Sequence, residues 1–254
     1  MRPGRGAGRA PTAWYVIPSD RYLARWWNVL HVPYTAWHLS YVALGAALGE
    51  ALRWDVLGWA LLAFFLGLGI AAHALDLLRG DPLALRLPET HLQVVGVAGL
   101  LLAALVGSLN IYWDNVPWWQ GWAIVFGILI ALGYNLEWPG FHGDLQFGLF
   151  WGVFPFLVGY LVMDGGSILV GILGASFCFL TSLAQRALSA RARYLRRRVA
   201  RVSLSLWEGA NPNGATSYLP QDPLLWLLTP LDRALMFTSI AMPALAAGLL
   251  LWRL

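Results

Sequence analysis

The chain has 254 residues, of which 59% are hydrophobic and 12% are charged, and its mean hydropathy is +0.60. Soluble domains carry about 25% charged residues, so this composition excludes an ordinary soluble protein. The net charge of +4 comes from arginine, since the sequence contains no lysine. In a membrane protein an excess of arginine is explained by the basic residues of cytoplasmic loops. We therefore expect no nucleic-acid partner.

Seven apolar segments are long enough to cross a bilayer as helices. They are residues 34–52, 57–77, 92–110, 117–136, 145–163, 167–188 and 233–252. The apolar stretch 223–231 is too short to span, and we expect it to be interfacial or re-entrant. Residues 1–20, rich in Gly, Arg and Pro, are predicted to form a disordered basic tail before a single transmembrane domain, residues 21–254. The sequence thus predicts an all-α polytopic bundle of about seven transmembrane helices.

The arginines fall almost entirely on one side of this seven-helix bundle. Of the 17 basic residues, only Arg53 and Arg253 lie on the other side. Cytoplasmic loops are enriched in basic residues, so the N-terminus is predicted to be cytoplasmic. We expect an integral protein of a prokaryotic cytoplasmic membrane, surrounded by membrane lipids.

Ionisable groups gather at the cytoplasmic ends of the predicted helices. His73, Asp76 and Arg79 follow one helix face, at a depth where charge is costly unless it meets a partner or water. Further polar groups reach the same side from three other segments. They are His38, Tyr134, Asn135, Glu137, His142, Asp144, Gln185 and Arg186. Together they predict one cytoplasm-facing polar pocket, and the aromatic residues around it would suit an isoprenoid chain.

Three stretches resemble the UbiA superfamily of intramembrane prenyltransferases and terpene cyclases. They are WNVLHVPYTAWHLSYVALGAAL, GIAAHALDLLRGDPLALRLP and GYNLEWPGFHGDLQFGLFWGVFPFLVGY. The resemblance implies a helical bundle whose loops after helices 2 and 6 bind Mg²⁺ and an isoprenyl diphosphate through aspartate-rich motifs. The first motif is reduced here to HALDLLRGD, and TSLAQRALSA in the second place contains no acid.

The resemblance also implies roles for individual residues. Asp76, with Glu137 or Asp144, would hold Mg²⁺, while Arg79 and Arg186 would bind the diphosphate. His73 or His142 would act as the base, and Asp76 is the third residue predicted to take part in catalysis. The substrate would also contact the polar groups of the pocket wall. These are His38, Tyr134, Asn135 and Gln185.

Two other functions fit the same residues. The histidines and carboxylates could coordinate Fe or Zn on a lipid substrate, because imidazole prefers those ions to Mg²⁺. Alternatively, the chain could bind an isoprenoid or quinone, or assist assembly of a complex, without catalysis. The missing acids in TSLAQRALSA favour this second alternative.

Overall fold

The structure, a computed structural model, describes residues 12–81, 83–204 and 222–254. These residues form helices and connections, with no β-strand among them. The helices are α1 (Tyr22–Val29), α2 (Val32–Leu48), α3 (Trp54–Arg79), α4 (Glu89–Tyr112), α5 (Trp122–Asn135), α6 (Asp144–Leu161), α7 (Ile168–Arg198) and α8 (Pro223–Trp252).

Within the described ranges, five helices are long and apolar enough to cross a membrane: α3, α4, α6, α7 and α8. This confirms the prediction that the protein is all-helical and has membrane-spanning helices. The predicted number of seven spans is not confirmed. Each of the seven predicted segments overlaps one of the helices α2–α8. However, α2 has 17 residues and α5 has 14, so both are shorter than the roughly 20 residues that a span requires.

The prediction for residues 223–231 is wrong, because this stretch forms the first turns of α8 and is continuous with the apolar segment after it. Proline at position 223 is compatible with a helix start, where its missing N–H would have no partner. The Asp222 carboxylate accepts a hydrogen bond from the Leu225 backbone N–H at 3.0 Å and caps the helix. The helix then continues through Pro230.

Helix α2 lies at the centre of the bundle, between α6 and α8. Its Trp37 and Tyr41 are almost fully buried and pack with Phe156 of α6 and Met242 of α8. Helix α7 continues ten residues beyond its predicted end, as far as Arg198. Its last turn contains three arginines, which interact favourably with the negative end of the helix dipole.

Two helices contain wide π-helical turns, Phe65–Ala72 in α3 and Gly148–Val153 in α6. Pro155 has no N–H to donate to the Trp151 carbonyl one turn earlier. The Nδ1 atom of His38 on α2 lies 2.7 Å from that carbonyl oxygen. In α3, His73 Nδ1 lies 3.0 Å from the Gly69 carbonyl. A carbonyl can only accept, so each Nδ1 carries the hydrogen. In the neutral ring, Nε2 then keeps its lone pair.

The two ends of the bundle differ in charge. The end at which α3 and α7 finish, here called the basic end, contains Arg79, Arg186 and the arginines of the α7 terminus. At the opposite end, Arg53 donates to the carbonyls of Asn115 at 2.7 Å and Val162 at 2.6 Å, which ties the start of α3 to two other connections.

We predict that Arg53→Met destabilises the protein. Two charge-assisted hydrogen bonds to otherwise uncapped carbonyls contribute roughly 1.5–3 kcal/mol each, and methionine keeps only the apolar stem. The thermal midpoint in detergent should fall by roughly 5–10 °C. Arg198→Met, at an exposed position of the α7 terminus, is the control and should leave the midpoint within about 2 °C. Equal midpoints for the two variants would refute this role for Arg53.

Candidate functional site

Five ionisable side chains from three parts of the chain lie near one another at the basic end and form what we call the basic cluster. Its members are His31, His73, Asp76, Arg193 and Arg197. The rings of His31 and His73 lie 4.9 Å apart, centroid to centroid. The charges of both arginines act on His31, and the charge of Arg193 also acts on Asp76. Asp76 and the two arginines are exposed, so the cluster is open to a ligand from solution.

Local backbone geometry places the two histidines. His31 lies in the short connection between α1 and α2 and has φ = 41° and ψ = 50°, the left-handed region that is strained for a residue with a Cβ. Strained residues of this kind persist where the surrounding structure holds them, and they concentrate at functional sites. His73 follows the π-helical turn of α3 directly, and Asp76 lies three residues later on the same face, as the sequence predicts.

The arginines of the site occupy one face of α7. Arg186, Arg193 and Arg197 are separated by seven and four residues, spacings that return to the same side of an α-helix. Among the residues that the structure describes, Arg193 and Arg197 have no carboxylate partner within ion-pair distance. Two like charges four residues apart repel each other, so this arrangement favours an added anion.

The N-terminal segment packs against the basic cluster. The ring of Tyr15 contacts those of His31 and Tyr34 at centroid distances of 5.5 and 5.3 Å. Two reciprocal hydrogen bonds of 2.9 and 3.0 Å join the backbone of Ile17 to the Asn28 side chain. Burial is the main cause that raises the pKa of the Tyr15 phenol, although nearby arginines oppose it. The remainder of the predicted tail, residues 1–11, lies outside the described residues.

A second group of polar residues, the Arg186 cluster, lies beside the basic cluster. Arg186 donates from Nε to Asp144 at 2.7 Å and from Nη1 to the Tyr134 hydroxyl at 2.8 Å. Its guanidinium lies 5.0 Å from the centroid of the Phe147 ring, in cation–π geometry. The ring of His142 lies 4.7 Å from that of Tyr134, centroid to centroid and tilted by 33°, and its Nδ1 lies 3.2 Å from the Tyr134 carbonyl.

The predicted metal ligands do not form one site. Glu137 lies 3.6 Å from Arg79, and Asp144 is bonded to Arg186, so each carboxylate faces a guanidinium. Asp76 lies in the basic cluster, although the charge of Glu137 still acts on it. In the part of the chain that the structure describes, no three His, Cys, Asp or Glu side chains could hold a metal ion together. The described residues therefore do not form a metal site of three protein ligands, and the prediction of Mg²⁺, Fe or Zn stays a prediction.

Three predicted site residues are buried in the protein, away from the open surface of the basic cluster. His38 bonds the Trp151 carbonyl, and Asn135 donates at 2.7 Å to the Ala131 carbonyl of its own helix. Gln185 is 5% exposed, and its Oε1 has no hydrogen-bond partner among the described residues. Of the predicted residues, the basic cluster contains His73 and Asp76, and the Arg186 cluster contains Tyr134, His142, Asp144 and Arg186.

His31 and Tyr15 are not among the predicted site residues, and Arg193 and Arg197 belong to a basic stretch for which the sequence leaves open head-group anchoring or diphosphate binding. The spacing of the two arginines from Arg186 was a usable signal, because it places all three on one helix face. No periodic signal identifies His31 or Tyr15, since both lie in connections whose path depends on tertiary packing.

Comparison with protein-family models, with curated proteins and with solved structures finds no match for this chain. Inferences about its function therefore rest on the geometry of the site.

We predict that His31 makes stability depend on pH. Burial, and then the positive charges of His73, Arg193 and Arg197, lower the pKa of His31 to about 3. Between about pH 6.5 and 3 the unfolded chain binds a proton that the folded protein does not, so stability falls as the pH falls. Asparagine tolerates the left-handed backbone and does not titrate, so His31→Asn should flatten the decline of the thermal midpoint between pH 6.5 and 4.5. The same slope in both proteins would contradict this environment for His31.

Proposed function

We propose that the protein is a UbiA-like membrane prenyltransferase or terpene cyclase that binds an isoprenyl diphosphate at its basic end. In this proposal α2 and α5 complete seven spans, and the basic end faces the cytoplasm because it carries most of the arginines. The observation that carries the proposal is the pair Arg193 and Arg197, without a carboxylate partner among the described residues, beside His73 and Asp76.

Two guanidinium groups on one helix face suit a diphosphate. Each presents a planar fork of N–H donors that matches a pair of phosphate oxygens. Because Arg79 and Arg186 already face carboxylates, we assign the diphosphate to Arg193 and Arg197. This assignment moves the predicted head-group site by two turns along α7.

The residues between the basic cluster and the interior suit an allylic chain. Tyr134 lies at ring-centroid distances of 5.4 Å from Trp151, 6.1 Å from Phe147 and 6.4 Å from Phe150. The π-faces of such rings attract a cation, and they exclude the water that would quench one. An isoprenyl chain leading inward from the arginines would pass this aromatic group.

The proposed reaction begins when the allylic C–O bond breaks and the diphosphate leaves with the electron pair. Arg193 and Arg197 stabilise the negative charge that develops on the leaving group, which lowers the barrier to ionisation. In a transferase, the allylic cation then gains a bond from a nucleophilic acceptor, which loses a proton. In a cyclase, an internal double bond attacks and the carbon skeleton loses the proton.

His73 is the best-placed proton acceptor. Its Nδ1–H is engaged by the Gly69 carbonyl, so the neutral ring presents Nε2 as a base. Asp76, three residues away on the same face, would stabilise the imidazolium that forms. Because Glu137 and Asp144 face guanidinium groups, no step of this reaction is assigned to Mg²⁺.

A second candidate function is binding of the same lipid without turnover. The pairing of Glu137 with Arg79 and of Asp144 with Arg186 favours it, since both carboxylates are neutralised within the protein. Such a protein would hold an isoprenyl diphosphate for a partner.

The test is calorimetric titration of geranylgeranyl diphosphate into the detergent-purified protein, with Mg²⁺ and with EDTA. We expect binding in EDTA that exceeds the binding of inorganic diphosphate or of geranylgeraniol alone. Release of inorganic diphosphate in the presence of membrane lipid extract would then indicate catalysis. Binding without release would favour the second candidate, and no binding in either condition would overturn the proposal.

A further inference from the structure

Helix α1 has one side that faces the protein and another that is apolar and exposed. Val29 is buried, and together with Trp26 it packs against the end of α3 and the start of α4. Leu23 and Trp27 lie four residues apart, so they share a different face of the helix. Their exposed fractions are 81% and 49%. Helix α1 therefore presents two large apolar side chains that the bundle leaves exposed.

A contact with α4 fixes the level of α1 along the bundle. The Tyr22 hydroxyl lies 3.0 Å from Nδ1 of His91, in the first turn of α4. Val94, three residues later, and then Val97 are exposed on the outer surface of this apolar helix. Three residues of helix rise about 4.5 Å, so α1 lies within one turn of the level at which that apolar surface begins. In a membrane, headgroups meet acyl chains at this level.

The sequence around α1 is strongly basic. Residues 1–31 contain five arginines and one acidic residue, Asp20. Arg21 is exposed and Arg25 is half-buried, and their spacing places both on a side of α1 away from the exposed apolar pair. Arg21 directly precedes the helix, where the helix dipole disfavours a cation, and the first turn contains no acidic residue. The charge of Arg21 therefore does not stabilise the helix itself, but it complements an anionic partner.

We propose that α1 is the surface on which the protein binds anionic lipid of its own membrane. Leu23 and Trp27 enter the boundary between headgroups and acyl chains, while Arg21 and Arg25 bind headgroup phosphates. Amphipathic helices with Trp and Leu on one side and basic residues on the other bind in this way, through buried apolar area and attraction to anionic lipid. Planar guanidinium groups match the oxygens of a phosphate. The proposal does not depend on binding of an isoprenyl diphosphate.

Lipid bound at α1 would act on the basic cluster through the chain itself. His31, with its left-handed backbone, follows the last residue of α1 by two positions. The side chain of Asn28 exchanges hydrogen bonds of 2.9 and 3.0 Å with the backbone of Ile17, so α1 also holds the segment that carries Tyr15. Lipid that fixes α1 would therefore order two sides of the basic cluster.

The experiment places an environment-sensitive nitrobenzoxadiazole label at Leu23→Cys, with the protein in lipid nanodiscs. The natural Cys178 is buried and should not react. In phosphatidylcholine with about 30% phosphatidylglycerol, we expect at least twice the label emission measured in phosphatidylcholine alone. A lipid with a nitroxide next to its headgroup should quench this emission. Arg21→Gln with Arg25→Gln should remove most of the difference between the two lipid compositions.

Leu254→Cys with the same label is the matched control. Leu254 is 82% exposed, close to the value for Leu23, but it lies at the opposite end of the bundle. Its emission should be equal in the two compositions. If Leu23→Cys fails to fold, Trp27→Cys presents the label from the same face of α1.

Three results would overturn the proposal. They are emission from position 23 that is typical of water in both compositions, equal emission in both, and no effect of the arginine substitutions. Inorganic diphosphate added to phosphatidylcholine discs provides the separating measurement. If it reproduced the effect of phosphatidylglycerol, an anion from solution and not the lipid surface would place the helix, and the proposal would fail as well.

Discussion

Replacing Arg193 and Arg197 together with glutamine should reduce the affinity for an isoprenyl diphosphate by about a hundredfold or more. Charge-assisted hydrogen bonds contribute roughly 1.5–3 kcal/mol each, and the double variant removes at least two of them. Both side chains are exposed, and neither has an ion pair with a described residue, so the fold should tolerate the change. The affinity is measured by calorimetry, and the thermal midpoint of the variant verifies that it is folded.

The same helix supplies the matched control. Arg191 and Arg198 are exposed and, seven residues apart, share a different face of α7 from Arg193 and Arg197. Arg191→Gln with Arg198→Gln removes the same net charge, so it tests for a nonspecific electrostatic effect. We expect less than a threefold change in affinity, and a loss as large as that of the Arg193 and Arg197 variant would show that general basicity, not this site, attracts the diphosphate.

Alanine at Gly45 or Gly159 should strongly destabilise the fold, because the added methyl group has no space at the crossing of α2 and α6. A Cβ at Gly45 would lie 2.1 Å from the Phe156 carbonyl oxygen, and a Cβ at Gly159 would lie 2.1 Å from that of Val42. Both obstacles are backbone atoms, so the two helices would have to move apart along the centre of the bundle. We expect a loss of more than about 3 kcal/mol, seen as a lower thermal midpoint or loss of folded protein.

Gly58→Ala and Gly248→Ala are the controls for this prediction. Their added Cβ atoms would meet nothing within 4 Å. These variants therefore measure how a glycine-to-alanine change affects stability where no neighbouring atom is displaced. Alanine has the higher helix propensity, by about 1 kcal/mol, and both variants should be as stable as wild type or more so. A Gly159→Ala protein as stable as these controls would disprove the close crossing of α2 and α6.

The sequence predicts the helices well because apolar runs of about 20 residues are a strong signal. It fails at 223–231 because this apolar run ends at Asp232 and is too short to span by itself, whereas the helix continues and Asp232 pairs with Arg196 of α7. The Asp222 cap favours one continuous helix here.

The candidate site is predictable only where its residues share a helix. His73 and Asp76 are found from their spacing, and Arg193 and Arg197 could be found in the same way from Arg186. Their meeting with His31 depends on a strained connection between α1 and α2, which no periodic pattern encodes. Likewise, the pairing of Glu137 with Arg79 and of Asp144 with Arg186 depends on which loops meet at the basic end.

The most direct test of substrate binding at this site is photocrosslinking with farnesyl diphosphate that carries a photoreactive group at the end of its chain. If the arginines bind the diphosphate and the chain leads inward past Tyr134, crosslinks will map to the aromatic residues around it, Phe147, Phe150 and Trp151. They will be suppressed by unlabelled farnesyl diphosphate and by the Arg193→Gln, Arg197→Gln variant. Crosslinks confined to the exposed outer surfaces of α4 and α7, unchanged by competitor and variant, would contradict binding at this site.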